Sequence, residues 1–347
     1  MLPDTSPMRP ITINGEGAMY KEAMLETGGY RQGLESTQRT LDATKVAILL
    51  AAYNGDRFLD DQLQSIIHQS HENWLIVVSD DGSTDSTRAL LQRYQRQIGE
   101  QRLRVVEGPR RGFVSNFMAM ASDPEIEADY FAFSDQDDIW HRDHLERALA
   151  WLQTVDPAIP ALHCGRTRLV HEDGRPFGMS PLFPKAPHFK NALVQSLAGG
   201  NTMVFNRSAR QLLSHTAELP IVSHDWWLYM LVSGTTGRIR YCEQPSVDYR
   251  QHSNNLVGSN SDLKDRLHRI RRMLAGHFHT WNTINVDALS QCRDLLSDES
   301  CHTFHTFAAA RRAGLLSRLH GMQRCGVYRQ TLPGNMALIL AALLGKL

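Results

Sequence analysis

Tyr130-Phe131-Ala132-Phe133-Ser134-Asp135-Gln136-Asp137-Asp138 is the stretch that decides the reading of this chain. Its first four residues form the continuous apolar run of a buried β-strand. Three carboxylates then crowd the carboxyl end of that strand, where they repel one another. A divalent cation is the simplest group to sit among them. The spacing Asp135-x-Asp137 lets two carboxylates point the same way off an extended strand end. Such a pair suits Mg²⁺ or Mn²⁺ shared with the phosphates of a nucleotide. The plain alternative is a loop of solvated acids.

Upstream, Val46-Ala47-Ile48-Leu49-Leu50 and Trp74-Leu75-Ile76-Val77-Val78 read as two more buried strands, and Leu103-Arg104-Val105-Val106 as another. Helical spacing separates them: Leu59, Leu63 and Ile66, then Leu91, Tyr94 and Ile98, then a short helix around Asn116-Phe117. Ser83 or Thr84 is placed to cap the second of these helices. The order β-α-β-α-β-α-β predicts an α/β fold, a mostly parallel central sheet flanked by helices. Ligands of such sheets bind outside the carboxyl ends of the strands. Three polar clusters fall at those ends: Tyr53-Asn54, Asp80-Asp81 and Asp135-Gln136-Asp137. Neither the G-x-G-x-x-G dinucleotide turn nor a G-x4-G-K phosphate loop follows the first strand, which argues against a dehydrogenase or a P-loop enzyme.

Downstream, residues 142–154 read as a helix and 167–176 as a hairpin turning at Glu172-Asp173-Gly174. Thr202–Phe205 reads as a strand and Arg207–His215 as a helix. The run Ser223-His224-Asp225-Trp226-Trp227-Leu228-Tyr229-Met230 follows, then strands at 238–243 and 246–250. Residues 262–330 have a helical, mildly basic tone, with clusters Arg269-Arg271-Arg272 and Arg311-Arg312. The expected organisation is a flexible extension (1–43), one domain (44–260) and a helical C-terminal region (261–347). Within the domain, 44–140 is the nucleotide-binding half and 141–260 the acceptor half.

The formal net charge is +0, so no global field draws the chain to nucleic acid or to an acidic membrane. The 42% hydrophobic content fits a folded core. Five scattered cysteines, Cys164, Cys242, Cys292, Cys301 and Cys325, lack any C-x-x-C pair and read as reduced thiols. Residues 1–43 carry no secretory pattern, so a cytoplasmic location is expected. The longest apolar run, Met336 to Leu344, is about half of the ~18–20 residues that span a bilayer. It reads either as a terminal helix packed on the domain or as a peripheral anchor on the inner face of the cell membrane. Basic clusters beside it would favour anionic lipid.

With these residues in place, a family resemblance is visible. Ala52-Tyr53-Asn54-Gly55, Ser79-Asp80-Asp81-Gly82-Ser83-Thr84-Asp85 and Asp135-Gln136-Asp137-Asp138-Ile139-Trp140 resemble family 2 glycosyltransferases, which have the GT-A nucleotide-diphospho-sugar transferase fold. Together with His224-Asp225-Trp226-Trp227 and Tyr249-Arg250-Gln251-His252, they are similar to the bacterial rhamnosyltransferase-like branch. The resemblance covers residues 45–260. It implies an inverting transferase that moves a sugar, such as L-rhamnose from dTDP-rhamnose, to a hydroxyl of a polysaccharide or lipid-linked glycan. It implies that Ala52, Tyr53, Asn54, Asp80 or Asp81, Asp135 and Arg111 bind the nucleotide sugar, and that Asp137 and His252 bind the metal. Asp225 would be the general base, with Trp226 and Trp227 stacking on the acceptor. The usual Asn-x-Gly turn of the family is replaced here by Gly108-Pro109-Arg110-Arg111-Gly112.

Two other function classes fit parts of the pattern. A sugar nucleotidyltransferase would want a Gly-rich, Arg- or Lys-bearing loop after the first strand, and Ala51–Gly55 is not one. A non-catalytic nucleotide-sugar-binding module would not need both a metal pair and a carboxylate flanked by tryptophans. Each residue also has a bland reading: Asp80–Ser83 as a capping turn, Asp225 as a helix cap, the tryptophans as core, His224 as structural.

Overall fold

The computed structural model describes residues 44–252 and 277–347. In chain order the first half runs β1 (Val46–Ala52), α1 (Leu59–Ile67), β2 (Trp74–Asp80), α2 (Thr87–Ile98), β3 (Leu103–Glu107), α3 (Phe113–Ser122), β4 (Tyr130–Ser134), β5 (Ile139–Trp140) and α4 (His144–Leu152). There follow β6 (Ala161–Gly165), β7 (Arg168–Val170), β8 (Pro176–Met179), α5 (Phe189–Ala192), β9 (Val204–Asn206), α6 (Arg207–His215), α7 (His224–Gly234), β10 (Arg238–Cys242) and β11 (Val247–Arg250). Among the described residues after β11, four α-helices follow: α8 (His277–Gln291), α9 (Asp298–Arg312), α10 (Leu315–Cys325) and α11 (Leu332–Leu343). Residues 44–347 form one unit.

The main sheet has seven strands in the order β10-β6-β9-β4-β1-β2-β3. β1 is its axis. It pairs in parallel with β2, Ala52 opposite Asp80, and with β4, Leu50 opposite Ser134. All seven residues of β2, and all but Ala51 in β1, are buried, which explains their unbroken apolar runs. The expected α/β architecture of sheet and flanking helices is therefore present, with one qualification. β9 runs antiparallel to both β4 and β6, so the sheet is mixed. A second sheet, β5-β11-β7-β8, stands beside the acidic loop and includes the expected hairpin.

Helix α1 buries Leu59, Leu63 and Ile66 as its spacing predicted, together with Gln62, whose amide donates to Ser134 Oγ at 2.7 Å. Ser83 and Thr84 do not cap α2. That helix begins later, after Ser86, and Asp85 Oδ1 accepts from Thr87 N instead. α7 is buried on nearly every side, and the C-terminal residues Leu338, Ala341 and Ala342 of α11 join the same core cluster. No described helix is long and apolar enough to cross a membrane. The extension 1–43, the boundary near 260 and the cluster Arg269-Arg271-Arg272 lie outside the described residues.

Candidate active site

Four loops leave the sheet at one rim: 53–58 after β1, 81–86 after β2, 108–112 after β3 and 135–138 after β4. Hydrogen bonds between them build the site. Ala52 O accepts from Asp81 N, and Asp80 O from Gly108 N, both at 2.8 Å. Asn54 N donates to Ser83 Oγ, and Asn54 Oδ1 accepts from Thr84 N, each at 2.9 Å. Asn54 adopts a positive φ of 49° to do this. Gln136 bridges to the first loop, accepting from Tyr53 N at 2.9 Å and donating to Tyr53 O at 3.0 Å. The Tyr53 ring stays 57% exposed.

The paired aspartates after β2 divide their work. Asp80 is buried; its Oδ2 accepts from Arg88 Nε at 2.6 Å and its Oδ1 from Ser83 N at 3.1 Å. It shapes the turn from within the core. Asp81 in turn accepts from Arg110 N at 2.6 Å and Gly112 N at 2.9 Å, which fastens the 108–112 turn. Arg110 there has a positive φ of 55°, and Arg111 is exposed. Ala52 contributes only backbone, because its side chain is buried.

The acidic loop carries the electrostatics. Burial first, then the charges of Asp137 and Asp225, push the Asp135 carboxyl up to about 8. Asp138 lies beneath the loop, fully buried; burial and its neighbours Asp137 and Asp135 raise its carboxyl well above the usual range. Asn201 Nδ2 donates to Asp138 Oδ2 at 2.5 Å, and Arg250 N to Asp138 Oδ1 at 3.2 Å. Asp137 Oδ2 meets His252 Nε2 at 2.7 Å. The loop is held from behind by buried Arg250, which donates to Asp137 O at 3.0 Å, to Asp61 Oδ2 at 2.7 Å and to Glu172 O. Sequence reasoning passed over Gln136, Asn201 and Arg250 as working residues. Gln136 and Arg250 sat inside quoted motifs; Asn201 carried no local signal.

Asp137 and His252 are oxygen and nitrogen donors of the kind a divalent cation accepts. Among the described residues no group of three His, Cys, Asp or Glu side chains forms a closed set. The pair fits the open arrangement in which Mg²⁺ takes one or two carboxylates and completes its shell with water and substrate phosphates.

Asp225 sits in the first turn of α7, after Ser223, and its Oδ1 accepts from the Trp226 backbone N–H at 2.7 Å. The tryptophans are a correction. Trp227 is 0% exposed and donates to Thr216 Oγ1 at 2.9 Å; Trp226 is buried and donates to Ala192 O at 2.7 Å. Both indoles are core, so neither offers a face to an acceptor. His224 is buried too, stacked on Phe117 at 4.0 Å and edge-on to Phe133 at 4.6 Å, with no hydrogen-bond partner on either nitrogen among the described residues. Burial lowers its imidazole to about 4, so it is neutral near pH 7.

Comparison with known proteins places this geometry. Residues 47–213 match Glycosyl transferase family 2. The dTDP-rhamnosyl transferase RfbG of Shigella flexneri is 28% identical over 232 residues, 64% of this chain and 78% of that protein. The putative teichuronic acid biosynthesis glycosyltransferase TuaG of Bacillus subtilis is 29% identical over 164 residues, 47% of this chain and 62% of that protein. Among solved structures, S. aureus TarS 1–349 in complex with UDP-GlcNAc aligns with TM-score 0.48 at 15% identity, covering 82% of this chain and 93% of that one. Family match, relatives and rim architecture agree on one stretch: residues 47–213 are similar to glycosyltransferase family 2.

Proposed function

We propose that this protein transfers a sugar from a nucleotide-diphosphate donor to an acceptor hydroxyl, with inversion at the anomeric carbon. One observation carries the reading: Asp137 of the loop after β4 and Asp225 of α7 both act electrostatically on the Asp135 carboxyl, although the two segments are distant in sequence. Asp225, from α7, is the base that takes the acceptor's proton, a role worth ~10²–10⁴-fold. Asp137 and His252 hold a divalent cation, Mg²⁺ or Mn²⁺, which when bound supplies positive charge for the departing diphosphate. Tyr53, Asn54, Asp81 and Arg111 frame the nucleotide, the tyrosine offering an exposed ring and Asp81 a rigidly held carboxylate. Asp135 faces the ribose side of the donor. A single base with direct displacement requires no covalent sugar–enzyme intermediate.

The likeness to RfbG makes dTDP-rhamnose the first donor to try, and a surface polysaccharide or lipid-linked glycan the first acceptor class. The test is donor turnover across a panel of nucleotide sugars, with and without Mn²⁺. Asp225→Asn should lose transfer by at least ~10²-fold while calorimetric donor affinity is kept. Equal loss of both would remove Asp225 from the base role. Absence of nucleotide binding across the whole panel would overturn the reading.

A further inference from the structure

Helix α11 contains no charged residue, and it is not sealed into the core. One side, Leu338, Ala341 and Ala342, packs inward. The opposite side exposes Leu332, Met336, Ile339, Leu340 and Leu343, with Leu344 just beyond the helix end. These positions recur at helical spacing, so they form one continuous apolar stripe. Leu315 and Leu316, at the start of neighbouring α10, are exposed as well, Leu316 to 81% and Leu332 on α11 to 75%. Single exposed leucines are ordinary in a folded protein, whereas a contiguous patch of this kind marks an interaction surface.

Charge decides what the patch meets. The whole chain is balanced at net +0, yet residues 300–347 carry Arg311, Arg312, Arg318, Arg324, Arg329 and Lys346 and no aspartate or glutamate. Arg312 and Arg324 are exposed. Arg318 reaches to Ala342 O at 2.9 Å, which brings a guanidinium to the carboxyl end of α11 itself. An apolar stripe with a guanidinium at its carboxyl end, in a segment that carries cations and no acidic side chain, is the pattern of an element that meets a membrane interface.

We propose that α11 and the first turn of α10 form a docking face for an anionic lipid bilayer. The protein rests on the membrane surface by this face and does not span it. The inward side of α11 belongs to the same core cluster as the buried residues of α7, the helix that carries Asp225. The proposal is independent of the sugar-transfer reading, because lipid binding is measured without donor or acceptor.

The test is flotation of the full chain with vesicles of phosphatidylglycerol and phosphatidylcholine in equal parts, against phosphatidylcholine alone. Binding is expected to the anionic vesicles and to weaken as salt rises. Ile339→Glu with Leu343→Glu, both at exposed positions, should lower partitioning at least ~10-fold. Arg312→Glu and Arg324→Glu should each lower it by about fivefold or more. Circular dichroism and the melting temperature of each variant check that its fold is intact. No binding by the parent chain, or binding unchanged in the apolar double variant, overturns the proposal. So does a parent dimer that the double variant turns into a monomer without any vesicle binding, since a second copy would then be the occupant. Binding seen only after removal of residues 1–43 would also overturn it, showing the face covered in the full chain.

Discussion

Gln136 holds the backbone of Tyr53 on both sides of its Cα, accepting from its N–H and donating to its carbonyl. The side chain thereby imitates a strand neighbour and ties the loop after β1 to the acidic loop after β4. Each of two such bonds contributes ~1 kcal/mol. Gln136→Ala should raise the donor KM about tenfold with a smaller change in kcat. Initial-rate kinetics check this; a fall in kcat at constant KM would mean that the clamp does not hold the nucleotide loop.

Asp137 and His252 should act as a pair toward metal. Asp137→Ala is expected to abolish Mn²⁺-dependent donor affinity, and His252→Ala to shift the Mn²⁺ requirement to higher concentration. Calorimetry of Mn²⁺ and nucleotide diphosphate with each variant decides. Unchanged titrations in both would place the cation elsewhere.

The buried guanidinium of Arg250 donates to the carboxylate of Asp61 and to the backbone carbonyls of Asp137 and Glu172. Arg250→Met should cost about 1.5–3 kcal/mol of stability from lost charged hydrogen bonds. It should also slow turnover, because Asp137 O loses its anchor. Arg250→Lys should restore part of the stability and little of the rate, since an ammonium cannot span the same fork. Equal recovery of both would show that the guanidinium's shape is irrelevant.

Acid sensitivity should centre on Asp248, which is buried in β11. Burial opposes its ionisation, but hydrogen bonds from His141 and Arg168 overcome that and hold its carboxyl below the usual range. The unfolded chain, titrating near ~3.9, then binds more protons than the folded one as the solution is acidified. The contribution is complete above about pH 4 and is lost as pH falls through the folded value. Urea midpoints measured from neutral pH to below pH 4 should show this drop in the parent and a shallower one in Asp248→Asn. Parallel curves would assign the acid step to other groups.

Trp227→Ala should destabilise by about 3–5 kcal/mol, the cost of a large emptied core site. Chemical denaturation measures it. A loss under about 1 kcal/mol would contradict the buried position of the indole.

Much of the half up to Trp140 was legible because its physics is local. β1, β2 and β4 are buried on both faces, so their sequences are unbroken apolar runs that end where polar loops must begin. α1 declared itself by a one-sided stripe. β9 did not declare its direction, since a three-residue strand looks the same either way round. β6 was missed because five residues containing His163 give neither a clean run nor an alternation. The tryptophans misled for a related reason: α7 is buried all round, so an aromatic next to a polar acid pointed inward, not to the cleft. Arg250 and Asp138 work through contacts more than 100 positions apart, which spacing along the chain does not register.

The reversed strand β9 has a further bearing. It is threaded between β4 and β6, and the turn before it supplies Asn201 to Asp138, so later chain segments complete the wall of the earlier ones. A fragment stopped at Trp140 would leave the edge of β4 unpaired and strip Phe205 from Phe131 and Phe133, which it covers at ring distances of 5.9 and 4.8 Å. The two halves are one folding object, and neither should be recovered soluble when expressed without the other.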